Sequence, residues 1–482
     1  MIVQSLQTKF MGGSLNADYQ NISKNFKSFG AATSAGYNAG QLEKERGLTR
    51  IGFDLKDVKV GSSKIGSMFK TVGEGASGID WRSYSFASGG LELNFNSQRV
   101  DSDFTRFADL AEQDREQLKK ELGMSRESYS AKFASKAATM SFSTDKIEDM
   151  RAGNGLEQRK LALKTGNIDL NLGERSVDKS FTRVGRLKGD ETALYGREVG
   201  LKRQWLSLEA GLLGKSYQPI KFSQSLIDSN NGSYRAQDVS VGGKGWSLEH
   251  SSRTADKGFA GFAPLDKTEE GNKEIAAIAN MYGKGLKYNL GNEQNYFKNS
   301  AGIGRSFDRL TAEPFKGWTF QFDSLRLTGQ EDGGSVNTIA LNGKDFNVNY
   351  RKQNLGQKFN EFSSLMEFER NQLGAIAGLD RTDFSLNMNL KGSKLAYSQT
   401  SADTSTGGMS RQQFAYSDKK LQVSANAREV DPGFDSIGSM VDPEKNMLAG
   451  LKGFNEHDVN VAWQILPNLH LSFTDCSADS DS

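Results

Sequence analysis

VDSDFTRFADLAEQDREQLKKELGMSR, residues 100–126, reads as two short amphipathic helices set between two strands. Phe104, Phe107 and Leu110 stand three apart and share a helix face, as do Leu118 and Leu122, while Glu and Lys at the same spacing solvate the other side. Gly123 is a natural stop, because glycine enters the left-handed region without a Cβ penalty. The stretch recurs. Its first aromatic is Phe26, Phe104, Phe181, Phe259, Phe359 and Phe434, at spacings of 78, 77, 78, 100 and 75 residues. Its second apolar residue is Phe29, Phe107, Val184, Phe262, Phe362 and Ile437. The closing glycine is Gly47, Gly123, Gly200, Gly378 and Gly453, with Arg50, Arg126, Arg203 and Arg381 three residues later. The fourth copy is degenerate after Phe262, and the sixth has Glu456 in place of Arg. These boxes, near 22–50, 100–126, 177–203, 255–283, 355–381 and 430–456, predict six repeats of about 78 residues.

The segments between boxes alternate as strands do. Phe53 and Leu55, then Val58 and Val60, flank Lys56-Asp57, a parity slip expected of a tight hairpin turn. Leu91, Leu93 and Phe95 follow a turn at Ser88-Gly89-Gly90, and Ile168, Leu170 and Leu172 follow one at Thr165-Gly166-Asn167. Leu286, Tyr288 and Leu290 read as a strand after the fourth box. The added length there reads as one extra hairpin, Phe320–Phe322 with Leu325–Leu327. The sum is about four strands per repeat and about two dozen in all, several only six to eight residues long. Tight turns fall on one edge, with medium loops and boxes on the other. The fold expected is all-β: an up-and-down antiparallel meander with helical insertions on one edge. Residues 1–473 form one repeat-built domain and 474–482 a disordered tail.

Charge is balanced, with 61 Lys and Arg against 59 Asp and Glu. No basic field for nucleic acid exists. A hydrophobic fraction of 36% suits strands with one polar face. The single cysteine, Cys476, rules out an internal disulfide framework. There is no run of about 18 apolar residues for a transmembrane helix. MIVQSLQTKFMGGSLN lacks the pattern of a signal peptide. The first repeat starts almost at once and the last ends near the C-terminus, so the expectation is a piece of a longer chain.

One polar and one apolar face per strand, with turns short at one end and long at the other, resembles a bacterial outer-membrane β-barrel. The resemblance is to an architecture rather than to a sequence family, and it implies a closed transmembrane sheet. Glu92, Asn94 and Asn96, or Asn347 and Asn349, would line a wet lumen. Trp205, Trp246 and Trp318, which open their strands in this reading, would sit in interfacial girdles. The implied function is a pore or envelope scaffold in the outer membrane or cell surface, its partners the lipid bilayer and a polar solute or polymer. A protein could dock on the helical edge. A soluble sheet with one buried face alternates in the same way, so a soluble or surface-layer repeat protein, acting as adhesin or structural module, is the other reading.

Chemical motifs do not assemble. Gly73-Glu-Gly75-Ala-Ser-Gly78 matches a dinucleotide fingerprint, but a strand rather than a helix follows it. His250, His457 and His470 have no ligand at metal spacing and read as solvated or lumen-facing. Asp475, Asp479 and Asp481 stand in the tail with Cys476. No enzyme activity, catalytic residue, metal or cofactor is expected. The Arg of each box is expected to pair with the Asp of the preceding Val-Asp or to ring the outer mouth.

Overall fold

The computed structural model describes residues 1–29, 39–110, 112–211, 217–261, 265, 301–365, 369, 377–434, 452–466 and 469–480. It divides into two compact units, Met1–Ala210 with Leu226–Asn230, and Gly211–Ser225 with Asn231–Ser482. The described residues hold twenty-four strands and a few short helices, an all-β chain.

In the first unit the strands are β1 (Ile2–Phe10), β2 (Gly13–Asn21), β3 (Thr49–Val60), β4 (Ser63–Glu74), β5 (Ser77–Ser88) and β6 (Leu91–Val100), then β7 (Met124–Ala134), β8 (Ala138–Asp149), β9 (Asn154–Thr165), β10 (Ile168–Val177) and β11 (Lys202–Ala210). Each pairs antiparallel with the next in sequence. β12 (Ile220–Ser229) falls partly in each unit. The second unit continues with β13 (Gly232–Gly243), β14 (Trp246–Ala255), β15 (Gly304–Ala312), β16 (Thr319–Thr328), β17 (Gly333–Asn342) and β18 (Phe346–Leu355), then β19 (Asp380–Leu390), β20 (Ser393–Thr404), β21 (Gly407–Ser417), β22 (Leu421–Val430), β23 (Phe454–Leu466) and β24 (Leu469–Ser480). From β13 onward the same order of antiparallel pairing holds.

Several expectations need correction. Lys56-Asp57 is not a turn. It is a β-bulge inside β3, where the register slips between Leu55 and Val58. Asp57 takes φ 52° there. A bulge shifts side-chain parity by one, as a hairpin does, so parity alone does not separate the two. Phe320–Phe322 and Leu325–Leu327 are not two arms of a hairpin but one continuous strand, β16. Phe320 and Phe322 stand on one face, and Leu325 (0% exposed) and Leu327 (2%) are buried on the other. The added length in the 100-residue spacing from Phe259 to Phe359 lies between Ala255 and Gly302 instead. Leu286, Tyr288 and Leu290 lie outside the described residues. Strands run 9 to 13 residues rather than six to eight, because polar residues continue each strand past its apolar stretch. The acidic tail is drawn into β24 by antiparallel pairing with β23, Cys476 standing opposite Asp458 and Asp479 opposite Asn455. Of the tryptophans, Trp246 opens β14, Trp318 immediately precedes β16, and Trp205 stands inside β11.

The medium loops are tight as well. β4 and β5 are joined by Gly75-Ala76 alone, and no helix follows, so the glycine-rich stretch is a hairpin turn. The long connections are the boxes.

Candidate functional site

Each box is built on one backbone device. The N–H of the first aromatic donates to the carbonyl three residues earlier: Phe26 to Ser23 (3.0 Å), Phe104 to Asp101 (3.2 Å), Phe181 to Asp178 (3.0 Å), Phe259 to Asp256 (2.9 Å), Phe359 to Gly356 (3.2 Å) and Phe434 to Asp431 (3.0 Å). The closing glycine then donates back to the end of the incoming strand: Gly47 to Ile22, Gly123 to Val100, Gly200 to Val177, Gly378 to Gly356 and Gly453 to Val430. All five have φ between 76° and 84°, a backbone that excludes other residues at low cost. Gly302 does the same, donating to Ala255 (2.7 Å) at φ 94°. The fourth box therefore closes at Gly302 with Arg305 three residues on, a Gly-x-x-Arg hidden from sequence reading by the long intervening connection.

The Asp after the incoming strand locks the box to the neighbouring hairpin. Asp101 Oδ2 accepts from the Gly78 N–H (3.0 Å), Asp178 Oδ2 from Gly155 (2.8 Å), Asp256 Oδ2 from Ser233 (2.8 Å) and Asp431 Oδ2 from Gly408 (2.7 Å). The fifth box inverts the arrangement. Gly356 stands at the Asp position, and Asp332 reaches in from the hairpin turn to accept from Gly333 (2.8 Å) and Lys358 (3.1 Å). A Cβ on Gly356 would lie 2.0 Å from Asp332 Oδ2, so only glycine leaves room. The backbone N–H of Gly333 and then that of Lys358 hold the Asp332 carboxyl below its ordinary range.

These aspartates do not take the repeated arginines, contrary to the first expectation. Arg50, Arg126 and Arg203 pair with the Glu two residues before the closing glycine: Glu45 (2.9 Å), Glu121 (2.6 Å) and Glu198 (3.1 Å). The unit is Glu-x-Gly-x-x-Arg, folded back by the left-handed glycine. Arg381 instead pairs with Asp383 in its own strand (3.0 Å). Successive boxes are also tied together. Arg126 makes a bidentate pair with Glu191 of the third box (2.7 and 2.8 Å), and Arg305 with Glu369 of the fifth (3.1 and 2.8 Å). Arg106 donates to the carbonyls of Lys44 and Arg46, and Arg183 to that of Leu122.

The phenylalanines are plugs. Phe104, Phe181, Phe259, Phe359 and Phe434 are all buried. Phe104 packs with Phe107, Leu110 and Leu118 over Leu48, which immediately precedes β3, and over Val72, Ile79 and Val100 near the box-side ends of β4, β5 and β6. Phe181 covers Met124, Ile147, Leu156 and Val177 in the same way, and Tyr195 joins that cluster. Burial pushes the Tyr195 hydroxyl up from its usual range. Phe26 with Phe29, Phe104 with Phe107 and Phe359 with Phe362 meet edge-to-face at 4.9, 5.1 and 5.2 Å. Phe262 and Ile437 lie outside the described residues.

The sheet face beneath the plugs is polar. In the first unit it presents Asn94, Asn96, Ser128, Ser130 and Lys160, with Trp81 and Trp205 also on it. Trp205 lies against Gly173, where a Cβ would come within 2.0 Å of the indole. In the second unit amides and hydroxyls are paired with one another: Asn349 Nδ2 to Ser385 Oγ (3.4 Å), Ser398 Oγ to Gln413 (3.4 Å) and Gln413 Nε2 to Asn426 (3.0 Å). Arg309 with Asp323 and Arg253 with Asp238 add ion pairs nearer the boxes. A recess of about 430 Å³ in the first unit is lined by Trp81, Gln98, Arg126, Asp145 and Tyr195 among others.

The opposite face carries the uncovered apolar side chains. One row across β5–β10 reads Phe86, Leu93, Ala131, Phe142, Leu161 and Leu172, and the next toward the tight turns reads Leu91, Phe133, Met140, Leu163 and Leu170. Leu93, Phe133, Met140 and Phe142 are each 40–48% exposed. In the second unit Leu248, Ile339, Leu390, Trp463, Leu471 and Phe473 are exposed on the corresponding face. Nearer the boxes this face turns charged, with Arg82, Arg99, Glu127, Lys146, Glu157 and Glu174.

Among the described residues no group of three or more His, Cys, Asp or Glu has metal-binding spacing. His250 and His457 stand on the apolar face, not on the polar one, and His250 Nδ1 meets Asp308 Oδ1 at 2.7 Å. His470 stands on the polar face, and Cys476 is exposed in β24. No described helix is long and apolar enough to cross a membrane, which bears in no way on strands.

No family model matches the chain, and no curated protein matches it. Among solved structures it is similar to Pseudomonas aeruginosa OccK2 (OpdF) in complex with glucuronate, at 8% identity and a TM-score of 0.15, covering 98% of this chain and 90% of that one. It is also similar to the FrpB iron transporter from Neisseria meningitidis (F5-1 variant, apoprotein form), at 10% identity and a TM-score of 0.17, covering 85% of this chain and 66% of that one. At these TM-scores neither pairing carries weight, and the functional reading rests on the chain's own geometry. In its strand order, its turns and its two unlike faces, the architecture resembles that of an outer-membrane β-barrel.

Proposed function

We propose that this chain is a bacterial outer-membrane β-barrel of six repeats, a pore or envelope scaffold whose strands close on one another. The observation that carries this reading is the band of exposed Leu, Phe, Met, Ile and Trp on one sheet face, opposite a face of amides, hydroxyls and ion pairs. In water such a band is unfavourable by about 25 cal/mol for each Å² left exposed, whereas in hydrocarbon it is at home. Antiparallel strands that each pair with the next in sequence are the arrangement that satisfies backbone groups in lipid, provided no edge is left open. The polar face then lines an aqueous lumen that passes polar solutes or polymers. The boxes stand on the extracellular rim, where their ion-paired row offers a surface to a protein partner. The fold supplies no enzyme chemistry in this reading, and the chain resides in the outer membrane or at the cell surface.

A soluble or surface-layer repeat protein is the second reading, favoured by the charged box-side half of the apolar face. It leaves the two apolar rows without a cover. Reconstitution in planar bilayers tests the pore directly. Discrete conductance steps are expected. A chain that inserts but never conducts is a scaffold rather than a pore.

A further inference from the structure

Outside β3, where Phe53 and Ile51 stand level with Arg82 and Arg99, the apolar face is apolar over only part of its height. On β6 the side chains on this face, counted from the tight turn, are Leu91, Leu93, Phe95, Ser97 and Arg99. Three apolar positions cover four residue steps, about 13 Å along the strand, and less once the strand tilts. Ordinary outer-membrane barrels carry a band about 25 Å tall. The upper limit is marked by aromatics. Phe95 stacks on Tyr84 at 5.8 Å and meets Tyr129 at 4.7 Å, a row of rings directly below Arg82, Ser97 and Glu127. The second unit repeats the boundary, with Tyr350 opposite Phe384 and then Lys352 opposite Thr382. Tyrosine with an apolar body and a polar tip prefers the edge of hydrocarbon, and charge is expelled from it.

We infer that contact with lipid hydrocarbon is confined to the rows from the tight turns up to this aromatic line. Apart from β3, the box-side half of the strands stands in water on both faces. The bilayer is seated at the tight-turn end and is thinned where it meets the chain, since a short band is met by local thinning. The inference rests on the membrane reading, but its failure is separable from the failure of that reading.

The test uses the full chain carrying Cys476→Ser, which removes its one thiol, and four single variants on that background: Leu93→Cys, Phe95→Cys, Ser97→Cys and Arg99→Cys. Each is folded into dioleoylphosphatidylcholine vesicles, with circular dichroism confirming the strand signal, and reacted with a charged maleimide. Its rate is compared with that of the same variant unfolded in urea. Leu93→Cys and Phe95→Cys are expected to react at least about tenfold slower, because each unit by which hydrocarbon raises a thiol pKa removes nine-tenths of the thiolate. Ser97→Cys and Arg99→Cys are expected to react near the unfolded rate. Protection at all four positions would overturn the short contact while leaving the membrane reading intact. Fast reaction at all four would overturn both.

Discussion

A left-handed glycine turns Glu121 back onto Arg126, and the same contact joins Glu45 to Arg50 and Glu198 to Arg203 in the first and third boxes. Glu121 is 1% exposed as a residue. Breaking a buried pair from one side strands the other charge and costs about 3–5 kcal/mol. Arg126→Met is therefore expected to loosen the second box by roughly that amount, and Glu121→Gln with Arg126→Met together by less. Native-state proteolysis within Glu112–Lys120 measures it, and equal loosening by the single and the double change would contradict the pairing. At Asp332 the sign follows from the depressed carboxyl. Its contribution is present above the ordinary carboxylate pKa and is lost as pH falls through the lowered value. The Gly333 and Lys358 amide resonances are expected to shift together below the pH at which free aspartate titrates. Shifts at the free-aspartate value would sink the capping role.

The elements hold together through plugs rather than through the helices themselves. The helix Glu112–Lys120 is too short to persist alone. Phe104 and Phe107 fix it over the strand ends. Phe104→Ala with Phe107→Ala should remove more than about 3 kcal/mol from the box and open it to protease, while the strand signal in circular dichroism persists. An unchanged cleavage rate would refute the plug. At this scale the sequence was readable where period and landmark coincided. Alternation gave the strands, and Phe, Gly and Arg gave the box positions. It failed where two backbones share one pattern. The bulge at Lys56-Asp57 imitates a turn by parity. β16 changes its apolar face midway because Leu325 and Leu327 serve the plug layer while Phe320 and Phe322 serve the opposite face. The partner of Arg126 was missed because Glu121 looks like one more charge on a solvated helix, and only the reversal at Gly123 brings the two together.

For the whole molecule the decisive quantity is where the apolar surface goes. The two faces were legible from alternation, but the shortness of the apolar band was not, since it depends on which rows the registers align across strands. A chain with this band uncovered should depend on an amphiphile to fold. The most direct measurement is refolding from urea with and without detergent micelles, followed by far-ultraviolet circular dichroism and by mobility on semi-native gels before and after heating. A strand spectrum and heat-modifiable mobility are expected only when micelles are present. A monodisperse chain with the same spectrum in plain buffer would contradict the membrane reading.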